Sequence, residues 1–252
     1  MAARQIGEGS KPLICTPVVG KTKETIVEEL EQVLAKKPDI IEWRADFFQN
    51  ISDPVQVIAV ANLIKEIAGQ LPIIFTIRSI REGGQPIPLT DREAIELNAE
   101  ICRSTTVEYV DCELSNDPAH IQYLRQEATR HGTKIIGSFH NFTLTPSRDE
   151  LAKKFTAAAQ YGLDVAKVAV MPQDLDDVLR LFGATLEAKK RLSIPLITMS
   201  MGQYGAISRM IGGVFGSSLS FAVGSKASAP GQIPIEDLQT VLDIVEKTIG
   251  EQ

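Results

Sequence analysis

Eight short apolar runs recur along this chain, spaced roughly 25 to 35 residues apart, with longer amphipathic stretches between them. The runs occupy residues 13–18, 40–45, 73–78, 107–113, 134–140, 165–171, 195–201 and 220–225. They are β-branched and poor in charge, the pattern of strands covered on both faces. Helical periodicity fills 22–35, 55–68, 91–103, 118–130, 147–161, 174–190 and 235–249. The first of these sets Ile26, Val27, Leu30, Val33 and Leu34 on one face. Thr90 with Glu93 and Ser147 with Glu150 have capping-box spacing, and Gly69, Gly132 and Gly162 mark helix ends. Strand–helix alternation predicts a parallel α/β fold. Eight units without a GxGxxG turn predict a closed (β/α)8 TIM barrel rather than an open Rossmann sheet. A length of 252 residues suits one such barrel. With no linker, repeat or low-complexity tract, residues 1–252 read as a single domain, and those before about Lys11 as a short N-terminal extension capping the barrel floor.

A net charge of −6 argues against nucleic acid or an anionic membrane as partner. No secretory h-region follows the first residues, and no apolar run is long enough for a transmembrane helix. Cys15, Cys102 and Cys112 are odd in number and lack CxxC or metal-ligand spacing, which suits reduced thiols in a cytoplasmic protein.

In a barrel of this kind, polar residues at the C-terminal strand ends carry the chemistry. Lys167 stands in the apolar run Asp164-Val165-Ala166-Lys167-Val168-Ala169-Val170-Met171. A buried ammonium must be paired, deprotonated or chemically used. It reads either as an ion pair with Glu42 or Asp111, or as a Schiff-base nucleophile. The second reading needs a depressed pKa, since at ~10.4 only about one lysine in a thousand is neutral near pH 7.4. Arg44 and Arg78 are the cations expected to depress it. Alternation puts Glu42, Arg44 and Asp46 on one face, as a structural ion network or as part of a site. Arg78 precedes Glu82-Gly83-Gly84, a tight loop. Asp111 and Glu113 share a face and are better suited to orient an arginine or histidine than to bind metal. Of the histidines, His131 ends a helix and His120 lies in a solvated first turn. His140, at the end of the fifth run, is the acid/base candidate. Met199, Met201 and Phe221 offer pliable apolar pocket walls, and Arg209 a bidentate carboxylate binder. The small-residue stretch 226–234 reads as a connector or as a lid presenting Ser228 and Gln232.

Several segments in order carry a resemblance: Glu42-Trp43-Arg44-Ala45-Asp46, Arg78 with Glu82-Gly83-Gly84, Asp111-Cys112-Glu113-Leu114 and Ser138-Phe139-His140-Asn141. Lys167-Val168-Ala169-Val170-Met171-Pro172, Met199-Ser200-Met201, Ile207-Ser208-Arg209 and Ala227-Ser228-Ala229-Pro230-Gly231-Gln232-Ile233 continue it. Together they resemble the type I 3-dehydroquinate dehydratases, the Schiff-base dehydroquinases of the shikimate pathway. Pro17 stands where some members carry serine. The resemblance implies dehydration of 3-dehydroquinate to 3-dehydroshikimate with no cofactor and no metal. It implies that Lys167 forms the imine, His140 moves the protons in a syn elimination, and Glu82 orients His140. Arg209, Ser228 and Gln232 would hold the substrate carboxylate. Glu42, Arg44 and Arg78 would bind ring hydroxyls and tune Lys167. A homodimer is the family expectation. The alternatives are another Schiff-base barrel lyase, such as a class I aldolase or a transaldolase, and a catalytically silent ligand-binding barrel.

Overall fold

The computed structural model describes residues 4–224 and 228–250. Parallel strands β1 (Leu13–Val18), β2 (Ile40–Arg44), β3 (Ile73–Thr76), β4 (Tyr109–Glu113), β5 (Lys134–Asn141), β6 (Val165–Val170), β7 (Leu196–Ser200) and β8 (Leu219–Val223) form the wall. A two-residue β9 (Ile233–Pro234) pairs with β8. The helices are α1 (Lys23–Leu34), α2 (Pro54–Ala68), α3 (Asp91–Ser104), α4 (Pro118–His131), α5 (Arg148–Gln160), α6 (Leu175–Arg191), α7 (Gly202–Phe215) and α8 (Ile235–Gly250). Strand order β7-β6-β5-β4-β3-β2-β1-β8 follows the chain except at β8, which pairs with β1 and so curls the sheet into a barrel. The seam between β7 and β8 is carried by the residues just before β8. Ser218 N–H donates to Leu196 O at 2.7 Å, and Ser218 O accepts from Leu13 N–H at 3.0 Å.

Because side chains alternate across a strand, each strand has an inner and an outer set. Outward residues such as Ile41, Trp43, Phe75 and Val110 pack under the helices, Trp43 meeting Phe75 edge to face at 5.4 Å. The first inward residues (Leu13, Ile40, Tyr109, Ile136, Val165, Leu219) form an apolar floor. Ile6, 5% exposed, closes that floor from below, its N–H donating to Tyr109 Oη at 3.1 Å, where the extension was expected. The next inward residues include the polar and charged Glu42, Thr76, Asp111, Ser138 and Lys167 beside the apolar Met199 and Phe221. Low layers therefore supply burial, and the upper layers are free to carry chemistry.

The capping boxes at Thr90 and Ser147 are formed. Among the differences from expectation are three strand ends and one helix. β2 stops at Arg44, and a 3-10 turn (Ala45–Phe47) follows, so Asp46 sits beyond the strand. β3 stops at Thr76, leaving Arg78 past its end. β8 ends at Val223; Ser225, placed in that strand from sequence, lies outside the described residues. Helix α7 was not anticipated. Gly202, Gly205, Gly212 and Gly213 dilute its helical signal. Tertiary ties hold it instead: Ser208 Oγ accepts from Ser200 N–H at 2.8 Å and donates to Gly205 O at 2.6 Å.

Candidate active site

The cavity at the C-terminal mouth of the barrel brings all twelve expected residues together. Glu42, Arg44, Arg78, Glu82, His140, Lys167, Met199, Met201, Arg209, Phe221, Ser228 and Gln232 line it. The inward alternation of β2, β5, β6, β7 and β8 delivers Glu42 and Arg44, His140, Lys167, Met199 and Phe221. The loop after β3 delivers Arg78 and Glu82, and α7 delivers Arg209. Gly84 permits the sharp return of that loop, since a Cβ there would lie 1.9 Å from Arg78 O.

Lys167 is 4% exposed. Its Nζ lies 3.3 Å from Asp111 Oδ2 and 3.4 Å from Glu42 Oε1, and 4.7 Å from the centre of the Phe221 ring. Here the structure differs from the expected electrostatics. Carboxylates, rather than Arg44 and Arg78, are the ionic partners of the amine. Arg44 is held bidentately by Asp46, at 2.8 Å for each bond. Arg78 Nη1 donates to Glu113 Oε1 and to Ser138 Oγ, each at 3.0 Å. Its Nη2 lies 2.8 Å from Asp111 Oδ2 as an ion pair without an aligned hydrogen bond. Both arginines thus carry their own counter-ions. Burial opposes ionisation of Asp111, but Arg78, Lys167 and the hydrogen bond from Ser138 outweigh it and hold the carboxyl below its usual range. The expectation that Asp111 and Glu113 orient an arginine is met at Arg78.

His140 and Glu82 form a dyad. Glu82 Oε2 accepts the backbone N–H of His140 at 3.0 Å and lies 2.9 Å from His140 Nδ1; Glu82 Oε1 accepts from Ser115 Oγ at 3.0 Å. An ionised Glu82 therefore keeps a proton on Nδ1 and leaves the lone pair on Nε2. Burial, and then the charges of Arg78, Lys167 and Arg44, push the imidazole well below its ordinary pKa, so it is neutral at pH 7. Burial and the neighbouring Glu113 push Glu82 up to about 7, with Arg78 and Ser115 opposing. His131 ends α4, as expected. His120 is half-buried rather than solvated.

Arg209 differs from the other two arginines. It is 2% exposed, and its ionic surroundings are carbonyls: Phe221 O at 3.3 Å and Pro230 O at 3.1 Å, with Met199 Sδ at 3.6 Å. No carboxylate among the described residues pairs with it, and burial pulls its pKa down to about 10. A desolvated guanidinium without a counter-ion is an anion site. Above it, Ser228 N–H donates to Gln232 Oε1 at 2.9 Å, and Gln232 Nε2 donates to Ser228 Oγ at 3.3 Å. Gly231, at φ +75°, passes so close to Gly202 that a Cβ would lie 2.4 Å from its carbonyl oxygen. Lys226 and Ala227 of the expected lid lie outside the described residues. The free volume of the cavity is about 40 Å³, space for a few waters.

Among the described residues, no group of His, Cys, Asp and Glu is arranged to hold a metal ion. Sequence reasoning left Phe142 and Gly83 out of the lining, and gave Asp111 no place among the site residues. The signal for Asp111 was present, two residues before Glu113 on an inward face. Phe142 follows the end of β5 and has no periodicity to reveal it.

The family model for type I 3-dehydroquinase matches residues 14–249. A 3-dehydroquinate dehydratase of Geobacillus sp. (strain WCH70) is 55% identical over 243 residues, covering 96% of this chain and 93% of that protein. The crystal structure of the 3-dehydroquinate dehydratase from Geobacillus kaustophilus HTA426 superposes with a TM-score of 0.93 at 49% identity, over 95% of this chain and 93% of that one. The type I enzyme from Clostridium difficile, solved with covalently modified comenic acid, gives a TM-score of 0.92 at 38% identity, over 96% of this chain and 95% of that one. These likenesses span nearly the whole chain, and the chain belongs to the type I 3-dehydroquinase family.

Proposed function

We propose that this chain is a hydro-lyase that dehydrates 3-dehydroquinate to 3-dehydroshikimate, through a covalent imine on Lys167 and with no cofactor. The observation that carries this reading is one cavity lined by a buried amine, a neutral imidazole and a guanidinium without a counter-ion. Lys167 gives up one proton from Nζ, the freed lone pair attacks the ketone carbon, and the carbonyl oxygen takes that proton and a second one from Nζ and leaves as water to give an iminium. The iminium cation takes the place of the ammonium at the same atom, so Glu42 and Asp111 face the same positive charge before the imine forms and in each iminium state. His140 Nε2 removes a proton from the carbon next to the iminium, and the electron pair flows into an enamine. That pair then expels the β-hydroxyl, which takes the proton from His140 and leaves as water on the same face. A second water hydrolyses the conjugated iminium, releasing the enone and the free amine. The net change is loss of one water. Glu82 holds the imidazole tautomer. Arg209 binds the substrate carboxylate, with Ser228 and Gln232 exchanging their mutual bonds for bonds to it. Arg44 and Arg78 are kept rigid by their carboxylates and meet the ring hydroxyls with Glu42.

A homodimer and a cytoplasmic location complete the proposal. The dimer rests on the family resemblance. The location rests on three buried free thiols; no helix of the described residues is long and apolar enough to cross a membrane. The chain acts as one catalytic domain. The direct test is the ultraviolet absorbance of the conjugated enone formed from 3-dehydroquinate. Wild-type protein is expected to generate it and Lys167→Ala to generate none. Absence of enone with the wild type refutes the proposal.

A further inference from the structure

Ser115 stands in the turn that follows β4 and is exposed to solvent. Its hydroxyl nevertheless points inward: Oγ donates to Glu82 Oε1 at 3.0 Å, and Glu82 is buried. The turn does not need that hydroxyl. It is tied by Leu114 N–H to Ser138 O at 2.8 Å, by Asn116 N–H to Glu113 O at 3.1 Å, and by Asn116 Nδ2 to the same Glu113 carbonyl at 3.0 Å. Ser115 also lies outside the lining of the Lys167 cavity. What it touches is the outer oxygen of the carboxylate whose inner oxygen, Oε2, holds His140 by its backbone N–H and by Nδ1. Among the described residues, Ser115 is the one hydrogen-bond donor to Oε1. The last torsion of a glutamate is soft, so contacts at one oxygen leave the carboxylate plane loosely set, and a donor on the other oxygen fixes it. A hydroxyl donating to a carboxylate also favours its charged form.

We propose that Ser115 is a positioning residue of the dehydration: its hydroxyl, on Glu82 Oε1, sets the carboxylate plane against His140 and stabilises the negative charge that keeps a proton on His140 Nδ1. This deepens the dehydration proposed above and rests on it. Ser115 acts through Glu82 and reaches none of the reacting atoms. Glu82 needs the support. Burial, Glu113 and Asp111 drive it toward the protonated form, and Arg78 and Ser115 oppose them. Arg78 Nη1 is 3.8 Å from Glu82 Oε2 and gives its hydrogen bonds to Glu113 and Ser138. Arg81, the neighbour of Glu82 in the chain, is paired with Asp91. Lys167 and Arg44 act on the far side, where they disfavour a charged His140. Ser115 is thus the support that can be removed without changing a charge. A protonated Glu82 would donate to Nδ1 and leave the imidazole proton on Nε2, where no lone pair remains to take a proton from substrate.

The test compares Ser115→Ala and Ser115→Thr with wild type by two readouts. The first is the pH profile of kcat for enone formation from 3-dehydroquinate. Its acid limb, near pH 7 in wild type, is expected to move up by about one pH unit in Ser115→Ala, so that kcat at pH 6 falls about 10-fold and the loss is smaller at pH 9. Ser115→Thr keeps the hydroxyl and should keep the wild-type limb. The second readout needs no turnover: the ring nitrogen signals of His140 in the nitrogen-labelled full chain without substrate. They report which nitrogen carries the proton, and the pH at which it changes should move up by the same unit in Ser115→Ala alone. Wild type that makes no enone would overturn the dehydration and with it this role for Ser115. Enone from wild type, with the limb and the His140 signals unmoved in Ser115→Ala, would overturn the Ser115 assignment alone. A kcat loss in Ser115→Ala that is equal at all pH values, or one that Ser115→Thr shares, would overturn it too, since a merely structural serine behaves that way.

Discussion

Glu82 is where stability and catalysis should part company. It is 4% exposed, and burial together with Glu113 raises its pKa from an ordinary carboxylate value of 4.5 to about 7. A raised folded pKa means that the folded state holds its proton more tightly than the unfolded chain does. The stability that proton confers is fully present below pH 4.5 and is lost as pH rises to about 7. Across that window the loss amounts to about 3 kcal/mol, at ~1.4 kcal/mol per pH unit. Glu82→Gln keeps the shape and removes the ionisation. The variant should match wild type in stability at pH 4 and exceed it by up to about 3 kcal/mol at pH 8, read by urea unfolding at both values. Its turnover should fall. The amide oxygen can still accept from His140 Nδ1, but a neutral acceptor is weaker than a carboxylate by about 1–1.5 kcal/mol, so kcat at pH 8 should drop about 10-fold. In wild type, protonating Glu82 lets it donate to Nδ1 and moves the imidazole proton to Nε2. Activity should therefore fall as pH drops through about 7, and that limb should vanish in Glu82→Gln. A variant with wild-type stability at pH 8, or one that keeps the acid limb, would refute this account of the dyad.

Other consequences follow from the same geometry. His140→Ala should still form the imine but turn over at least ~100-fold more slowly, measured by single-turnover enone formation; near-native turnover would remove its role. Arg209→Met should reduce kcat/KM by roughly 30- to 100-fold through loss of a charge-assisted pair with the carboxylate, with no loss of stability at pH 7 because the buried guanidinium has no counter-ion. Lys167→Ala should lower folding stability by about 3 kcal/mol, since it leaves Glu42 and Asp111 buried without their ammonium; unchanged stability would mean those contacts carry little weight. Activity should persist after dialysis against a chelator, and a loss of activity reversed by a divalent metal would contradict the metal-free reading.

The barrel was legible because every strand repeats one signal, a short apolar run, and each run is covered on both faces. Helix α7 was hidden because its four glycines lower intrinsic propensity, and its anchoring through Ser208 to Ser200 is a long-range fact. The charged residues that line the cavity were legible one by one, since a charged group at an inward strand position is costly to bury and stands out against its apolar neighbours. Their pairing was harder to see. Whether Lys167 faces arginines or carboxylates depends on which inward residues share a height across β2, β4 and β6, and on the carboxylates that claim Arg44 and Arg78. Register between non-adjacent strands sets this, and periodicity along one strand carries no information about it.

The central claim is that Lys167 forms the covalent intermediate. It is tested most directly by adding borohydride during turnover of 3-dehydroquinate and mapping the product by mass spectrometry. The account expects one stable adduct per chain, on the peptide that contains Lys167. No adduct, or an adduct on another lysine such as Lys226, would contradict it.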